Sequence, residues 1–335
     1  MIITKSPLRI GFAGGGSDLP AFCSENSGAC INAAINKYVY VLVRKRYDDM
    51  IYLKYSENEV VRYVDEIQHD FIREALLFCD IDFGIEIINW ADIPTKGTGL
   101  GSSSSFLVGL LNALWTLKGH TYNKHELAEQ ACEIEINRCK KNIGYQDQFI
   151  AAYGGLKFMQ FYKNPEDTYV TSLAYEDAEL DRLSRNIMAF YTGITRDAND
   201  ILTEQSEDLK TDSNAIELMK ANVDIANRSY VKLQNHIHPS LGHAMAENWN
   251  IKKKFKGITN PEIDKLVDGC MKAGAVGCKI TGAGGGGFLI AYVHSGNQEN
   301  IREGMQRYHP EVKEMPIKID KYGTRVLMNV EQYLW

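Results

Sequence analysis

Apolar and polar residues along the chain sort into strand-like and helix-like stretches. Residues 7–13, 38–45 and 50–55 read as short β runs, and VYVLVRK within the second is nearly continuous. IDFGIEIIN (81–89) alternates and predicts a further strand leading toward a glycine- and serine-rich loop. Residues 102–118 are apolar nearly all round, which predicts a buried central helix. Residues 124–141 put Leu127, Ala131 and Ile134 on one face and predict an amphipathic helix. GLKFMQFY (155–162) and TYVTSLAY (168–175) predict a strand pair joined by an Asn164-Pro165 turn.

A polar, acidic stretch near residue 180 (YEDAELDRLSRN) separates this half from the next. The second half opens with the strand IMAFYTGI and continues with helical patterns over 197–210, 213–234 and 241–255. Asn260-Pro261 starts a helix running to Ala273, the strand GFLIAYV follows, and a last helix covers roughly 297–308. Strands and helices mixed without strict alternation indicate the α+β class. At 335 residues two domains are expected, given roughly 100–200 residues per domain. They are placed at 1–180 and 181–335.

Hydrophobic content of 44% and charged content of 24% are those of an ordinary globular protein. The net charge of −6 argues against a nucleic-acid binder. It also requires local basic residues for any anionic ligand. Seven scattered cysteines without a CxxC pair suggest reduced thiols. Lys5 leads directly into a glycine motif, leaving no apolar stretch for a signal peptide, and no apolar segment approaches the ~20 residues of a membrane span. A cytoplasmic protein is expected. His236, His238 and His243 lack zinc-like spacing with cysteines or carboxylates and read as surface or core histidines.

The richest stretch is 94–106, PTKGTGLGSSSSF. Gly97, Gly99 and Gly101 allow positive φ and close backbone approach to a ligand. Serine at a helix N-cap and the free N–H groups of a helix start together favour an anion. A phosphate cradle is expected, although a capped core helix has the same look. The spacing is not that of a Walker A loop, because Gly101 is followed by Ser102 without a lysine.

This segment resembles the second motif of the GHMP kinases, and two more motifs stand in family order. SPLRIGFAGGGSDLP begins at Ser6 and KITGAGGGGFLIAY at Lys279, so the resemblance spans residues 6–292. It implies a two-domain fold with an N-terminal α+β nucleotide-binding domain, a ferredoxin-like C-terminal domain and the active site between them. It implies ATP and Mg²⁺ as cofactors, with Gly97, Gly99, Leu100, Gly101, Ser102, Ser103 and Ser104 at the phosphates. Asp147, in IGYQDQFIAAYGG, resembles the galactokinase base segment. It is assigned as general base, with Arg9 beside it to stabilise the transition state; a turn aspartate and a structural salt bridge are the ordinary readings of the two. Metal binding calls for one serine, Ser103 or Ser104, and one carboxylate. Of Glu133 and Glu135, helix geometry places Glu135 beside the buried stripe. The glycines at 282–287 suit close approach to phosphates or a tight turn into a strand.

The first motif has Gly14-Gly15-Gly16-Ser17-Asp18 where galactokinases carry Gly-Glu-His-x-Asp, which leaves space for a larger sugar. AGGGSDLP resembles the branch holding D-glycero-D-manno-heptose 7-phosphate kinases and bacterial fucokinase-like domains. The implied reaction is phosphorylation of the anomeric hydroxyl of that heptose phosphate. Gly15, Gly16, Ser17, Asp18, Gly284 and Gly285 are placed at the substrate, and Arg196, with Lys37 as alternative, at its phosphate. Competing readings are a kinase for a free sugar such as L-fucose and a non-catalytic sugar or nucleotide sensor. The expected partners are ATP and a small sugar phosphate, with a second copy of the chain as the one protein partner considered.

Overall fold

The computed structural model describes residues 1–94, 97–195 and 198–330. The first half contains β1 (Ile2–Ala13), α1 (Pro20–Cys23), β2 (Gly28–Lys45), β3 (Ile51–Lys54), β4 (Asn58–Val61), α2 (Asp70–Phe78) and β5 (Ile85–Ala91). There follow α3 (Ser102–Leu117), α4 (Lys124–Cys132), α5 (Gln146–Tyr153), β6 (Leu156–Phe161), β7 (Tyr169–Ser172) and α6 (Asp177–Arg185). The second half contains β8 (Ile187–Tyr191), α7 (Ala198–Thr211), α8 (Ser213–Gln234), α9 (Ser240–Lys252) and α10 (Pro261–Lys272). It ends with β9 (Gly277–Ile280), β10 (Phe288–Tyr292), α11 (Gln298–Tyr308), β11 (Lys313–Glu314) and β12 (Arg325–Asn329).

Two sheets organise these elements. The larger runs β12-β1-β2-β5-β3-β4, with β6 and β7 extending from β2; the smaller runs β11-β8-β10-β9. The strand expected at 38–45 is the second half of a much longer β2. Its first part, residues 28–35, is buried on both faces and pairs with β6; beyond residue 38 only Val39, Val41 and Val43 are buried and the partner becomes β5. A strand covered on both faces loses the apolar–polar alternation that marks a half-buried one, so its first part carries no period-2 signal.

Helix α3 is buried on nearly every side and packs against β1 and β2. Helices α8 and α9 also pack on β2 and β1, and α9 reaches β9 and β10, so it links the two sheets. The polar stretch near residue 180 is helix α6, with Leu180 and Leu183 turned inward. The helix expected over 124–141 changes character midway: α4 stops at Cys132 and a π-helical turn covers Glu133–Arg138. Such wide turns close i→i+5 hydrogen bonds and shift the facing of every side chain beyond them. Among the described residues no helix is long and apolar enough to cross a membrane.

Candidate active site

The three glycine motifs converge on one cleft. Gly97, Gly99 and Gly101 have φ of 70°, 68° and 74°, conformations that L side chains rarely adopt. Gly101, not a serine, occupies the N-cap of α3, and no side chain caps the helix. The serines form its first turn instead. Ser105 Oγ donates to Pro7 O at 2.8 Å, Ser104 Oγ donates to Glu135 Oε2 at 2.8 Å, and Ser103 is exposed in the cleft. An uncapped helix start lined by hydroxyls, with no acidic residue in its own first turn, attracts an anion.

The second and third motifs touch backbone to backbone. A Cβ on Gly282 would lie 2.7 Å from Gly99 Cα, and Thr281 Oγ1 donates to Thr98 O at 3.2 Å. Gly282, Gly284 and Gly286 border the cleft, whereas the Gly285 N–H is spent on Ile258 O.

Arg9, on β1, meets Asp147 in the first turn of α5 through Nε–Oδ1 and Nη2–Oδ2 bonds of 2.7 Å each. Its remaining terminal nitrogen donates to Gly99 O at 2.5 Å. The guanidinium therefore joins the carboxylate to the glycine loop. Burial opposes the charge on Arg9, but Asp147 outweighs it and the pKa rises. A Cβ on Gly101 would lie 3.1 Å from Asp147 Oδ2 and 3.2 Å from Arg9 Cγ.

Glu135 lies in the π-helical turn, 2% exposed, and accepts from both Ser104 Oγ and Gln148 Nε2 at 2.8 Å. Burial lifts its pKa to about 7, although these two hydrogen bonds pull the other way. Glu133 turns outward, accepting from Asn137 Nδ2.

Models of the GHMP kinases N terminal domain and the GHMP kinases C terminal match residues 58–155 and 230–311, together more than half of the chain. The chain belongs to the GHMP kinases. It is thus a phosphotransferase that acts on a hydroxyl group, of a family that uses ATP as donor. D-glycero-alpha-D-manno-heptose 7-phosphate kinase of Campylobacter jejuni is 28% identical over 91% of this chain and 93% of its own length. The L-fucokinase/L-fucose-1-P guanylyltransferase of Bacteroides fragilis is 27% identical over 85% of this chain but only 34% of that longer protein. The crystal structure of a D-glycero-D-manno-heptose 1-phosphate kinase from Bacteroides thetaiotaomicron superposes with a TM-score of 0.80 at 22% identity, covering 98% of this chain and 99% of that one. This last likeness shows the fold.

The other residues singled out in this GHMP kinase chain are scattered in role. Asp18 is 1% exposed and already accepts from Gly16 N, Gln146 N and Gln146 Nε2 at 2.9–3.1 Å, so it fixes the segment that presents Asp147. Burial raises its pKa. Ser17 is fully buried, donating to Gly14 O and accepting from Ala29 N; neither it nor Gly15 lines the cleft, whereas Gly16 does. Lys37 is half-buried beside the Asn36–Lys318 hydrogen bonds of β2, away from the cleft lining. Arg196 lies outside the described residues.

Two further polar residues of the cleft lie outside the motifs. Lys252, at the end of α9, is 4% exposed and donates to Gly282 O; burial and then Arg9 lower its pKa to about 8. Gln205, on α7, is 3% exposed, and both its amide nitrogen and its amide oxygen lack a hydrogen-bond partner. One signal marks Gln205: it sits four residues from Ile201 and from Leu209, on a stripe that is otherwise apolar.

Proposed function

We propose that this chain transfers the γ-phosphoryl group of ATP to the anomeric hydroxyl of D-glycero-D-manno-heptose 7-phosphate. The observation that carries the chemistry is the Arg9–Asp147 pair set against the open start of α3. The sugar is carried over from the heptose 7-phosphate kinase of C. jejuni, which is similar to this chain over nearly its whole length.

In this reading the phosphates lie along Gly97–Ser104 and take hydrogen bonds from the first N–H groups of α3. Asp147 accepts the proton of the sugar hydroxyl as its oxygen bonds to the γ-phosphorus, and the bond to the β–γ bridging oxygen breaks to release ADP. Arg9 holds both Asp147 oxygens in place before transfer and offsets charge developing beside them. Lys252 supplies a second cation on the acceptor side. Gln205, with a donor and an acceptor unspent, reads a pair of sugar hydroxyls.

The Ser104–Glu135 pair fits Mg²⁺. Hydroxyl and carboxylate oxygens are the hard donors the ion takes, and both protein hydrogen bonds fall on Oε2, leaving Oε1 to a cation. Ser103, Ser104 and Glu135 would hold it together with phosphate oxygens. When bound, the ion would neutralise charge on the β- and γ-phosphates.

The residues 1–180 and 181–335 are taken as the two domains. Two separate sheets support this, except that β12 returns to β1. Seven unpaired cysteines support a reducing, cytoplasmic setting. A free sugar such as L-fucose is the second reading, favoured by the B. fragilis relative.

The test is ADP release from ATP with Mg²⁺ across manno-heptose 7-phosphate, sedoheptulose 7-phosphate, mannose 6-phosphate, L-fucose, galactose and mannose, followed by NMR of the product. Turnover of the manno-heptose phosphate at its anomeric position is expected. Turnover of free sugars alone would overturn the substrate and keep the catalytic residues.

A further inference from the structure

Away from the cleft, the fold brings together three side chains that the sequence keeps far apart. Glu179 lies on α6, and His236 and His238 lie in the turn between α8 and α9. Sequence spacing gave these histidines no third ligand; tertiary packing supplies it. Glu179 Oε1 stands 2.6 Å from His236 Nδ1 and 2.8 Å from His238 Nε2. The three ligand atoms all lie within 4.8 Å of one another, and no other group of three or more histidine, cysteine or carboxylate ligands is so arranged among the described residues.

We propose that Glu179, His236 and His238 bind a divalent transition-metal cation, with zinc the best match. Two imidazole nitrogens and one carboxylate oxygen are a donor set zinc favours, at bonds of about 2.0–2.2 Å. Around a tetrahedral ion such bonds separate ligand atoms by roughly 3.4 Å, so the carboxylate needs only a small retreat to admit it. His238 supports this independently. It is 8% exposed, and despite the nearby carboxylate its Nε2 satisfies no hydrogen bond. Glu179 thus sits off the line along which that nitrogen bonds. Glu179 Oε1 and His236 Nδ1 bond each other at 2.6 Å, a hydrogen bond the carboxylate would exchange for the ion.

The neighbourhood is built to hold the rings. Tyr175 packs against both imidazoles, with ring centroids 5.3 and 5.1 Å away, and its hydroxyl donates to Leu233 O at the end of α8. His236 holds a left-handed φ of 57°, a conformation that side-chain-bearing residues seldom adopt. Its side chain is 60% exposed, so a fourth position on the ion faces water. An ion here would clamp α6, which leads into β8, to the turn between α8 and α9. None of the three ligands lines the catalytic cleft, so the site is separate from the chemistry.

The test uses the full chain stripped with a chelator and kept free of Mg²⁺. Zinc is titrated against a chromophoric competitor, cobalt binding is followed by visible absorption, and melting is recorded with zinc and with EDTA. One equivalent of zinc at micromolar affinity or better, a tetrahedral-type cobalt band and a melting temperature several degrees higher are expected. Glu179→Gln and His236→Ala should each weaken zinc binding at least tenfold. Because His236 is exposed, His236→Ala should melt near wild type in EDTA, which separates loss of the site from misfolding. Wild-type affinity in both variants would place the ion elsewhere, for example at Ser104 and Glu135, and overturn the proposal. So would failure of the wild-type chain to hold one equivalent. In either case the three side chains form only a hydrogen-bonded clasp.

Discussion

Arg9 grips both oxygens of Asp147 in a two-bond fork, and its third nitrogen holds the carbonyl of Gly99. One guanidinium therefore sets the distance between the carboxylate and the glycine loop. The geometry is rigid and directional in a way a lysine could not reproduce.

Asp147→Asn should keep ATP affinity while kcat falls by about 10²–10⁴, the usual worth of a positioned base. Arg9→Lys should lose much of the same activity because one point charge cannot span both oxygens and Gly99 O. Steady-state kinetics beside ATP binding by calorimetry will check both. Wild-type kcat in Asp147→Asn would remove the base.

Glu135→Gln removes the carboxylate oxygens while keeping the side chain's shape. The Mg²⁺ concentration for half-maximal rate should rise at least tenfold, with the sugar KM nearly unchanged. An unaltered Mg²⁺ dependence would take Glu135 out of the metal site.

Burial, and then the charge of Arg9, push the Lys252 pKa down to about 8 from the ordinary lysine value of 10.5. Over that window the unfolded chain binds the extra proton, so stability rises with pH from about 8 to 10.5 and the penalty is fully present below 8. Such a shift is worth about 3 kcal/mol. Lys252→Met should therefore raise the melting temperature at pH 7 and flatten its rise above pH 8, while kcat drops. Wild-type kcat should also decline as Lys252 loses its proton above pH 8. A variant as active as wild type would make the lysine a passenger.

Gln205→Leu should raise the KM for the sugar by ten- to a hundredfold and leave the KM for ATP alone. Removing an amide that has no partner spares a desolvation penalty of about 1–3 kcal/mol, so the free variant should be no less stable than wild type. Unchanged sugar kinetics would mean the amide serves packing alone.

Arg196→Ala should raise the KM for a phosphorylated heptose and leave a free sugar's KM untouched. Equal effects on both would dissociate this arginine from the substrate phosphate.

Much of this was legible in the sequence because it is local. The glycine runs, the long apolar helix after them and the strand pair at 155–175 each follow from neighbouring residues. Glu135 was separated from Glu133 by counting faces on an ideal α-helix, and it does point inward. It gets there through a π-helical turn that the count did not contain. The serines were read as caps, but only glycine fits the left-handed cap beside Arg9 and Asp147, so the hydroxyls move one position into the helix. Gln205 and Lys252 could not be read as site residues. They reach the cleft from α7 and α9, and only the packing of those helices reveals what they face.

The pairing of β12 with β1 has a consequence for how the protein is made. Ile2, Ile3 and Thr4 lie against Asn329, Met328 and Val326, so β1 is synthesised long before the strand that covers it. Until then the outer edge of Ile2–Lys5 offers unpaired N–H and C=O groups, the kind of edge that recruits other chains. Expression halted before residue 325 should therefore give aggregate, and the nascent chain has reason to need shelter until β12 docks.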